Sequence, residues 1–255
     1  MINVFRKGWR PAAVLLLLFI LWELAVNLAE VPAWLLPPPT DIVHEAISGW
    51  EGFRLHLQST VMLSLLGFLI GAVIGLLTAV ILHLLPFIRE SVYPLLILSQ
   101  NVPIIVLAPL LVVWFGFGIL PKLIVITLVC FFPITVAALD GFRQAPGELR
   151  HYMLMAGASK GQLFWKLELP YSLPSLFSGL KISATYSVMG AVISEWLGAK
   201  AGIGVYMTLA SSSFRTDRVF VAIFTIMLLS LLFFGGILLA ERLLIKWKSR
   251  ESARK

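Results

Sequence analysis

The sequence contains little charge and almost no cysteine. Of its 255 residues, 13% are Asp, Glu, Lys or Arg and 59% are hydrophobic. A soluble domain of this length would lack the polar surface needed to cover so large an apolar core. Cys130 is the only cysteine, which excludes an intrachain disulfide. We therefore predict an all-α integral membrane protein that forms one domain over residues 1–255.

The sequence also lacks a pattern typical of catalysis or metal binding. It has no G-x-x-x-x-G-K-[ST] motif, so it does not bind ATP through a P-loop. Residues 157–161 match the G-x-S-x-G nucleophile elbow, but they follow a predicted membrane span rather than a strand. The histidines are scattered without zinc-ligand spacing; they are His44, His56, His83 and His151. We predict that the chain is not an enzyme and holds no catalytic residue, metal or cofactor.

Six apolar stretches are long enough to cross a membrane, since a bilayer core of ~30 Å needs roughly 20 apolar residues per helix. They lie at about 11–30, 58–84, 88–115, 119–140, 173–197 and 218–245. Residues 40–56 predict an amphipathic helix that is too short and too charged to span.

The distribution of basic residues predicts the orientation. With the N-terminus inside, 14 of the 20 Lys and Arg residues fall in cytosolic segments and five outside, with Lys181 left within a span. Such a bias places both termini in the cytosol. It also accounts for most of the net charge of +7, which removes the reason to expect a nucleic-acid partner. The predicted parts are residues 1–57 (first helix and external amphipathic helix), a membrane core at 58–245 and a cytosolic tail at 246–255.

Three hydrogen-bonding side chains and a proline interrupt the third span. Ser99, Gln100 and Asn101 are followed by Pro103. Broken helices occur at membrane depth where the backbone lines a cavity or is buried in protein. We expect these four residues to line a transport pathway; the alternative is a kink satisfied by neighbouring helices. Glu195, at the outer end of the fifth span, is a further pathway candidate, with an interfacial ion pair as its alternative.

Two other features concern helix packing in the membrane. Gly67, Gly71 and Gly75 form overlapping Gly-x-x-x-Gly steps on one face of the second span. Small residues let helix backbones approach closely in lipid, either within the chain or between subunits. Lys181 lies near the inner end of the fifth span, where we expect it to extend towards the cytosolic surface.

The longest predicted cytosolic segment, residues 141–172, has the pattern of a docking element. Apolar residues recur at helical spacing from Leu149 to Ala156, and Gly157 then permits a tight turn. A second apolar stripe includes Phe164 and Leu167, and Pro170 precedes the fifth span. A short helix, a turn and another amphipathic helix would present a protruding knob.

This segment resembles a known motif. Gly157, nine residues, Leu167, one residue and Leu169-Pro170 are similar to the E-A-A-x3-G-x9-I-x-L-P loop of ATP-binding-cassette importer permeases. Where that motif begins Glu-Ala-Ala, this chain has residues 151–153, His-Tyr-Met. Outside the loop, LAPLLVVWFGFG (107–118), FFPITVAALDGF (131–142) and SEWLGAKAGIGVYM (194–207) resemble the nitrate/sulfonate/taurine-type family of these permeases.

The resemblance implies a type I importer permease fold with six transmembrane helices in a bacterial inner membrane. It implies a homodimer of permease subunits, a cytosolic ATPase dimer that binds ATP and Mg, and an extracytoplasmic substrate-binding protein. The residues that it assigns to ATPase coupling are Arg150, His151, Tyr152, Met153, Ala156, Gly157, Ala158, Ser159, Gln162, Phe164, Leu167 and Pro170.

The resemblance also indicates a substrate class. Residues 178–207 and the following SSSFRTDRVFVAI are most similar to the subgroup associated with thiamine pyrimidine precursors, such as hydroxymethylpyrimidine-like compounds. Alkanesulfonate, taurine or nitrate are the alternatives within the family. An ion-coupled secondary transporter is the alternative from another class.

Overall fold

Long apolar runs form the helices, because in lipid each backbone N–H and C=O must be satisfied within its own segment. The computed structural model describes residues 2–245, with side chains from Trp9 to Ile245. Its helices are α1 (Ile2–Leu28), α2 (Pro39–Ser48), α3 (Trp50–Leu84), α4 (Pro86–Gln100), α5 (Ile104–Phe115), α6 (Ile119–Phe142), α7 (Gly147–Met155), α8 (Lys160–Leu163), α9 (Leu169–Glu195), α10 (Ile203–Ser212) and α11 (Thr216–Leu244), and a π-helical turn (Phe164–Glu168) joins α8 to α9. The predicted tail at 246–255, with its basic residues, and the side chains of Arg6 and Lys7 lie outside the described residues.

Glycines bring α3 and α6 into backbone contact. A Cβ added to Gly67 would lie 2.6 Å from Ile126 Cβ, and one added to Gly71 would lie 2.7 Å from Cys130 Cβ. Because residue numbers rise together along both helices, α3 and α6 run parallel. The Gly-x-x-x-Gly face therefore packs within the chain, which is one of the two alternatives that the sequence left open.

Helix α9 completes the centre of the bundle and runs antiparallel to α6. Gly141, near the end of α6, approaches Ser172, near the start of α9, and Gly179 approaches Pro133. The Ser183 hydroxyl, buried at mid-helix, donates to the carbonyl of Cys130 at 2.9 Å. Small residues thus let the three central helices approach closely, and hydrogen bonds and buried apolar side chains hold them together.

The third span is broken into α4 and α5, which are bent by 100° relative to each other. Because α3 and α6 are parallel, the chain between them must return across the membrane, so α4 and α5 together make one crossing. The break falls at residues 101–103, where Pro103 has no N–H to continue the helix ladder. Five long helices and this bent pair give six crossings in the described part of the chain, as the sequence predicted.

Two predicted helix boundaries differ from the structure. The amphipathic segment 40–56 is not one helix, because it breaks at Gly49 and its second half begins α3 at Trp50. The helix that carries the fifth span begins before residue 173, because helical structure continues from Lys160 to Glu195. Pro170 is accommodated in that helix because the wider π-helical turn precedes it and relieves the clash that a proline makes with the preceding turn.

Lys181 does not extend to the surface as predicted. Its ammonium group lies 2.8 Å from the Glu241 carboxylate, and both side chains are largely buried. This ion pair joins α9 to α11 inside the helix bundle. Pairing satisfies the charge inside the protein, which removes the need to reach water.

A substitution at Gly71 tests the central packing. In Gly71→Val the added carbons would overlap Cys130, and overpacking of a core costs ~1–3 kcal/mol. We expect a lower melting temperature for the detergent-solubilised variant, measured by size-exclusion chromatography after heating. Gly235→Val in α11 is the matched control, because a Cβ there meets nothing within 4 Å. Equal melting of the two variants would contradict the packing described.

Candidate functional site

The segment between α6 and α9 forms a stiff turn at one end of the bundle. Gly157 follows the C-cap of helix α7, and its φ of 82° favours glycine. The N–H of Ala158 bonds the carbonyl of Met153 at 3.0 Å, which closes the helix end. Ser159 then caps α8: its Oγ accepts from Gln162 N at 3.2 Å, and the Gln162 side chain accepts from Ser159 N at 2.9 Å. Both ends of the turn are therefore fixed by local hydrogen bonds.

Helix α7 presents an uncovered apolar surface. None of its residues is buried, and Tyr152 and Met155 are 68% and 81% exposed. The predicted coupling residues Arg150, His151, Ala156, Gly157, Ser159 and Gln162 are also exposed, while Met153 and Ala158 are half-buried. Large apolar side chains exposed outside the membrane are typical of a surface that binds another protein.

Two predicted docking residues face the other way. Phe164 and Leu167 are buried, and Phe164 packs in the main apolar core with residues of α3 and α6. Pro170 is half-buried in the first turn of α9. These residues anchor the turn to the bundle rather than form its outer surface. Trp165 and Lys166 are exposed and their neighbours on either side are buried, as expected from the helical period. The sequence pattern did not show which side of this helix faces the bundle.

A buried polar cluster at this end was not predicted from the sequence. His83 Nε2, at the end of α3, lies 2.6 Å from Glu168 Oε2 in the π-helical turn. Arg150 Nε, on α7, lies 3.7 Å from Glu168 Oε1. Glu168 itself is 5% exposed. The sequence carried one indication of this cluster, which is a glutamate placed between the two leucines of the Leu-Glu-Leu-Pro segment.

The central helix α9 leaves one stripe uncovered along its length. The other faces of α9 pack against α3, α6 and α11. This stripe is the part of α9 that other helices leave exposed. Its members recur every three, four or seven residues, and none carries a charge: Tyr171, Ser178, Ile182, Tyr186 and Met189. A continuous uncovered stripe on a central helix is the geometry expected of a wall that faces a pathway or a second subunit.

A cavity of about 420 Å³ opens at the middle of this stripe, beside the break between α4 and α5. Tyr186, Phe132, Ser99 and Gln100 line it, together with aliphatic side chains of α5 and α6. Among the described residues, neither the Gln100 amide nor the Tyr186 hydroxyl makes a hydrogen bond within the protein. Both groups are available to a solute.

The remaining predicted pathway residues have other surroundings. Asn101 Nδ2 donates to the carbonyl of Ile97 at 3.1 Å, and Ser99 Oγ donates to that of Leu96 at 2.8 Å. Asn101 and Pro103 form the break itself and do not line the cavity. Hydrogen bonds within α4 thus satisfy part of the interrupted backbone, whereas the kink alternative expected neighbouring helices to do so.

Glu195 does not face the cavity and makes no ion pair among the described residues. It is 1% exposed, and it accepts hydrogen bonds from Thr60 Oγ1 at 2.7 Å and from Gly204 N at 2.8 Å. Thr60 Oγ1 in turn accepts from Ile203 N at 2.8 Å. The carboxylate thereby satisfies N–H groups in the first turn of α10 and ties that helix to α3. Its role in the structure is to hold this end of the bundle.

At the same end, Glu45 fastens α2 to α11. Its carboxylate lies 2.8 Å from Arg215 and 2.8 Å from Arg218. The hydrogen bonds that Arg215 donates to the Asp217 carboxylate, followed by the nearby Glu45 carboxylate, raise the pKa of Arg215 above its ordinary value. The guanidinium therefore stays charged, and the clasp holds at any pH that leaves the acids ionised.

The sequence is similar to transport proteins along nearly its whole length. The family described as binding-protein-dependent transport system inner membrane component matches residues 71–246. The formylaminopyrimidine transport permease protein of Halalkalibacterium halodurans is 36% identical over 96% of this chain and 98% of its own length. The riboflavin transport system permease protein of Chloroflexus aurantiacus is 32% identical over 92% and 88%. A putative aliphatic sulfonates transport permease protein of Bacillus subtilis is 30% identical over 96% and 90%.

Removal of the Glu195 carboxylate tests its capping role. In Glu195→Ala the N–H of Gly204 and the hydroxyl of Thr60 lose a buried partner, and a hydrogen bond to a charged group contributes about 1.5–3 kcal/mol. We expect faster proteolysis between α9 and α10 and a lower melting temperature. Glu51→Ala is the control, because Glu51 is largely exposed. Unchanged protease resistance in Glu195→Ala would show that the carboxylate does not hold α10.

Proposed function

The chain belongs to the family of binding-protein-dependent transport system inner membrane components, and from this premise we propose how it works as the permease of an ATP-binding-cassette importer. Two copies would form the transport pathway, a cytosolic ATPase dimer would bind ATP and Mg, and an extracytoplasmic binding protein would deliver the solute. The observation that carries the proposal is the uncharged, uncovered stripe of α9, which meets the cavity beside the break between α4 and α5.

The packing of α4 supports a homodimer. Helix α4 has no buried residue, and α5 has only two, Ala108 and Leu111. A break such as residues 101–103 is tolerated at membrane depth where protein covers it or where it lines a cavity. A second copy packed against α4, α5 and the α9 stripe would supply this cover and close the pathway.

The exposed surface of α7 supports a docking role at the cytosolic end. Tyr152 and Met155 stand beside a turn that is fixed by Gly157 and Ser159. A rigid apolar knob transmits movement from a bound partner without bending. The excess of basic residues favours placing this end, and both termini, in the cytosol. The ion-coupled alternative is disfavoured by the family membership.

We propose a thiamine pyrimidine precursor as the solute. The cavity beside Tyr186 offers an aromatic face at Phe132 and hydrogen-bonding groups at Gln100, and its lining residues carry no charge. Such a surface suits an uncharged planar ring, which stacks on aromatic side chains and bonds an amide through its edge. The similarity to a formylaminopyrimidine permease points to the same class.

A second candidate is a small anion such as a sulfonate, taurine or nitrate. A separate cavity of about 470 Å³ near the α10 end is lined by Lys122 and Lys200. Two ammonium groups would attract a sulfonate, and the similarity to the sulfonate permease agrees with this class.

A docking test uses substitutions on α7. Burial of an apolar side chain contributes about 1.5–3 kcal/mol, so Tyr152→Ser with Met155→Ser should weaken binding of the ATPase at least tenfold. Binding is measured with purified subunits in nanodiscs. Phe214→Ser, an exposed aromatic at the opposite end, is the control and should bind normally.

The orientation is checked with introduced cysteines. Ser159→Cys or Gln162→Cys should crosslink to the ATPase, whereas Glu51→Cys should react with an impermeant thiol reagent applied outside. Labelling of Ser159→Cys from outside the cell would refute the proposed topology.

A substrate test compares the two cavities in proteoliposomes containing the complete importer. If the solute is a pyrimidine, Tyr186→Leu should lower uptake up to about tenfold, because an aromatic contact contributes about 0.5–1.5 kcal/mol. Lys122→Gln with Lys200→Gln should then change uptake little. If taurine is transported instead and the lysine pair controls its uptake, the anion is the solute.

A further inference from the structure

The most enclosed carboxylate at the α7 end belongs to Glu168, and it connects three parts of the chain. It lies in the π-helical turn that continues into α9, it bonds His83 at the end of α3, and it lies within 3.7 Å of Arg150 on α7. Burial of a carboxylate is costly unless its oxygens are bonded. Each oxygen here has a different partner, so the position of Glu168 depends on both α3 and α7.

The π-helical turn accounts for the direction of the side chain. The N–H of Leu169 bonds the carbonyl of Phe164, five residues back, where an α-helix would bond four back. The additional residue shifts the phase of α8 relative to α9. Phe164, Leu167 and Glu168 consequently all lie on the inward side.

The hydrogen bond from His83 and the ion pair with Arg150 differ in how firmly they hold Glu168. The ring of His83 packs against two aromatic side chains that also contact each other, with its centroid 4.8 Å from that of Phe142 and 5.8 Å from that of Phe164. The His83–Glu168 bond is short at 2.6 Å and shielded. Arg150 is 58% exposed and its contact is longer. The first bond is therefore a fixed link to the core, and the second is a looser link to the docking helix.

We propose that Glu168 is a positioning residue that makes α3 follow the movement of the docking segment α7–α8, together with α9. This inference rests on the proposed function, since it assumes that an ATPase moves α7–α8. Chain continuity links that segment to both α6 and α9, and Phe164 packs it against the apolar core. The Glu168–His83 bond adds a fixed polar link to α3, which glycines hold in backbone contact with α6.

If this bond is lost, only the apolar packing around Phe164 links the docking segment to α3, and α3 follows its movement less closely. ATP would then be hydrolysed without an equivalent movement of the pathway wall. The expected defect is thus a lower number of solute molecules transported per ATP, rather than weaker binding of the ATPase or of the solute.

The test uses Glu168→Gln and His83→Gln in the complete importer, reconstituted in proteoliposomes with its ATPase and binding protein. We expect about a tenfold fall in solute transported per ATP in each variant, because a neutral amide replaces the stronger charge-assisted bond. ATPase binding and the KM for the loaded binding protein should stay within about twofold of wild type. Glu30→Gln is the matched control, an exposed carboxylate between α1 and α2 with no ion pair among the described residues, and it should transport normally.

A reciprocal exchange separates coupling from simple loss of structure. His83→Glu with Glu168→His restores the pair in reverse and should recover at least half of the wild-type ratio. Normal solute-to-ATP ratios in both single variants would overturn the inference, as would a stable exchange variant that remains uncoupled. If wild-type protein shows no ATP-driven uptake, the proposed function fails instead. If a single variant does not assemble, a crosslink between His83→Cys and Glu168→Cys in a Cys130→Ser background must leave transport intact, and a block would contradict the inference.

Discussion

Backbone contact among α3, α6 and α9 is the constraint on which the other features depend. Lipid gives no hydrophobic gain when two apolar helices meet, so attraction comes from close packing and from local hydrogen bonds. Gly71 and Gly179 remove the side chains that would separate the helices. The resulting parallel pair of α3 and α6 requires a return crossing, and that crossing is the broken pair of α4 and α5. The cavity beside Tyr186 lies where this break meets the uncovered stripe of α9.

The two ends of the bundle are held by related means. At one end the carboxylate of Glu195 fixes α10 to α3, and at the other the carboxylate of Glu168 fixes the π-helical turn to α3. In each case the carboxylate bonds a side chain of α3. Helix α3 thus connects the surface near the proposed binding-protein side with the surface near the proposed ATPase side. Movement at one end therefore has a direct physical route to the other.

The sequence predicted those features that depend on local pattern. Apolar length gave the six crossings, and proline with hydrogen-bonding residues located the break at 101–103. The direction of each helix face was not predictable, because Phe164 and Leu167 form an apolar stripe whether it faces the bundle or a partner. Long-range polar pairs were also missed. Glu241 and Lys181 are 60 residues apart in the sequence, and this spacing does not predict a contact. The packing of α9 against α11 brings the two side chains together.

The parallel arrangement of α3 and α6 has a consequence for biogenesis. Helical hairpins form between neighbouring crossings as they leave the translocon, but α3 cannot find α6 until the intervening crossing has been inserted. During this interval the glycine face of α3 is open to the bilayer. That face is the kind that associates with other small-residue helices, so a nascent chain stalled before α6 would be prone to pair with the wrong neighbour.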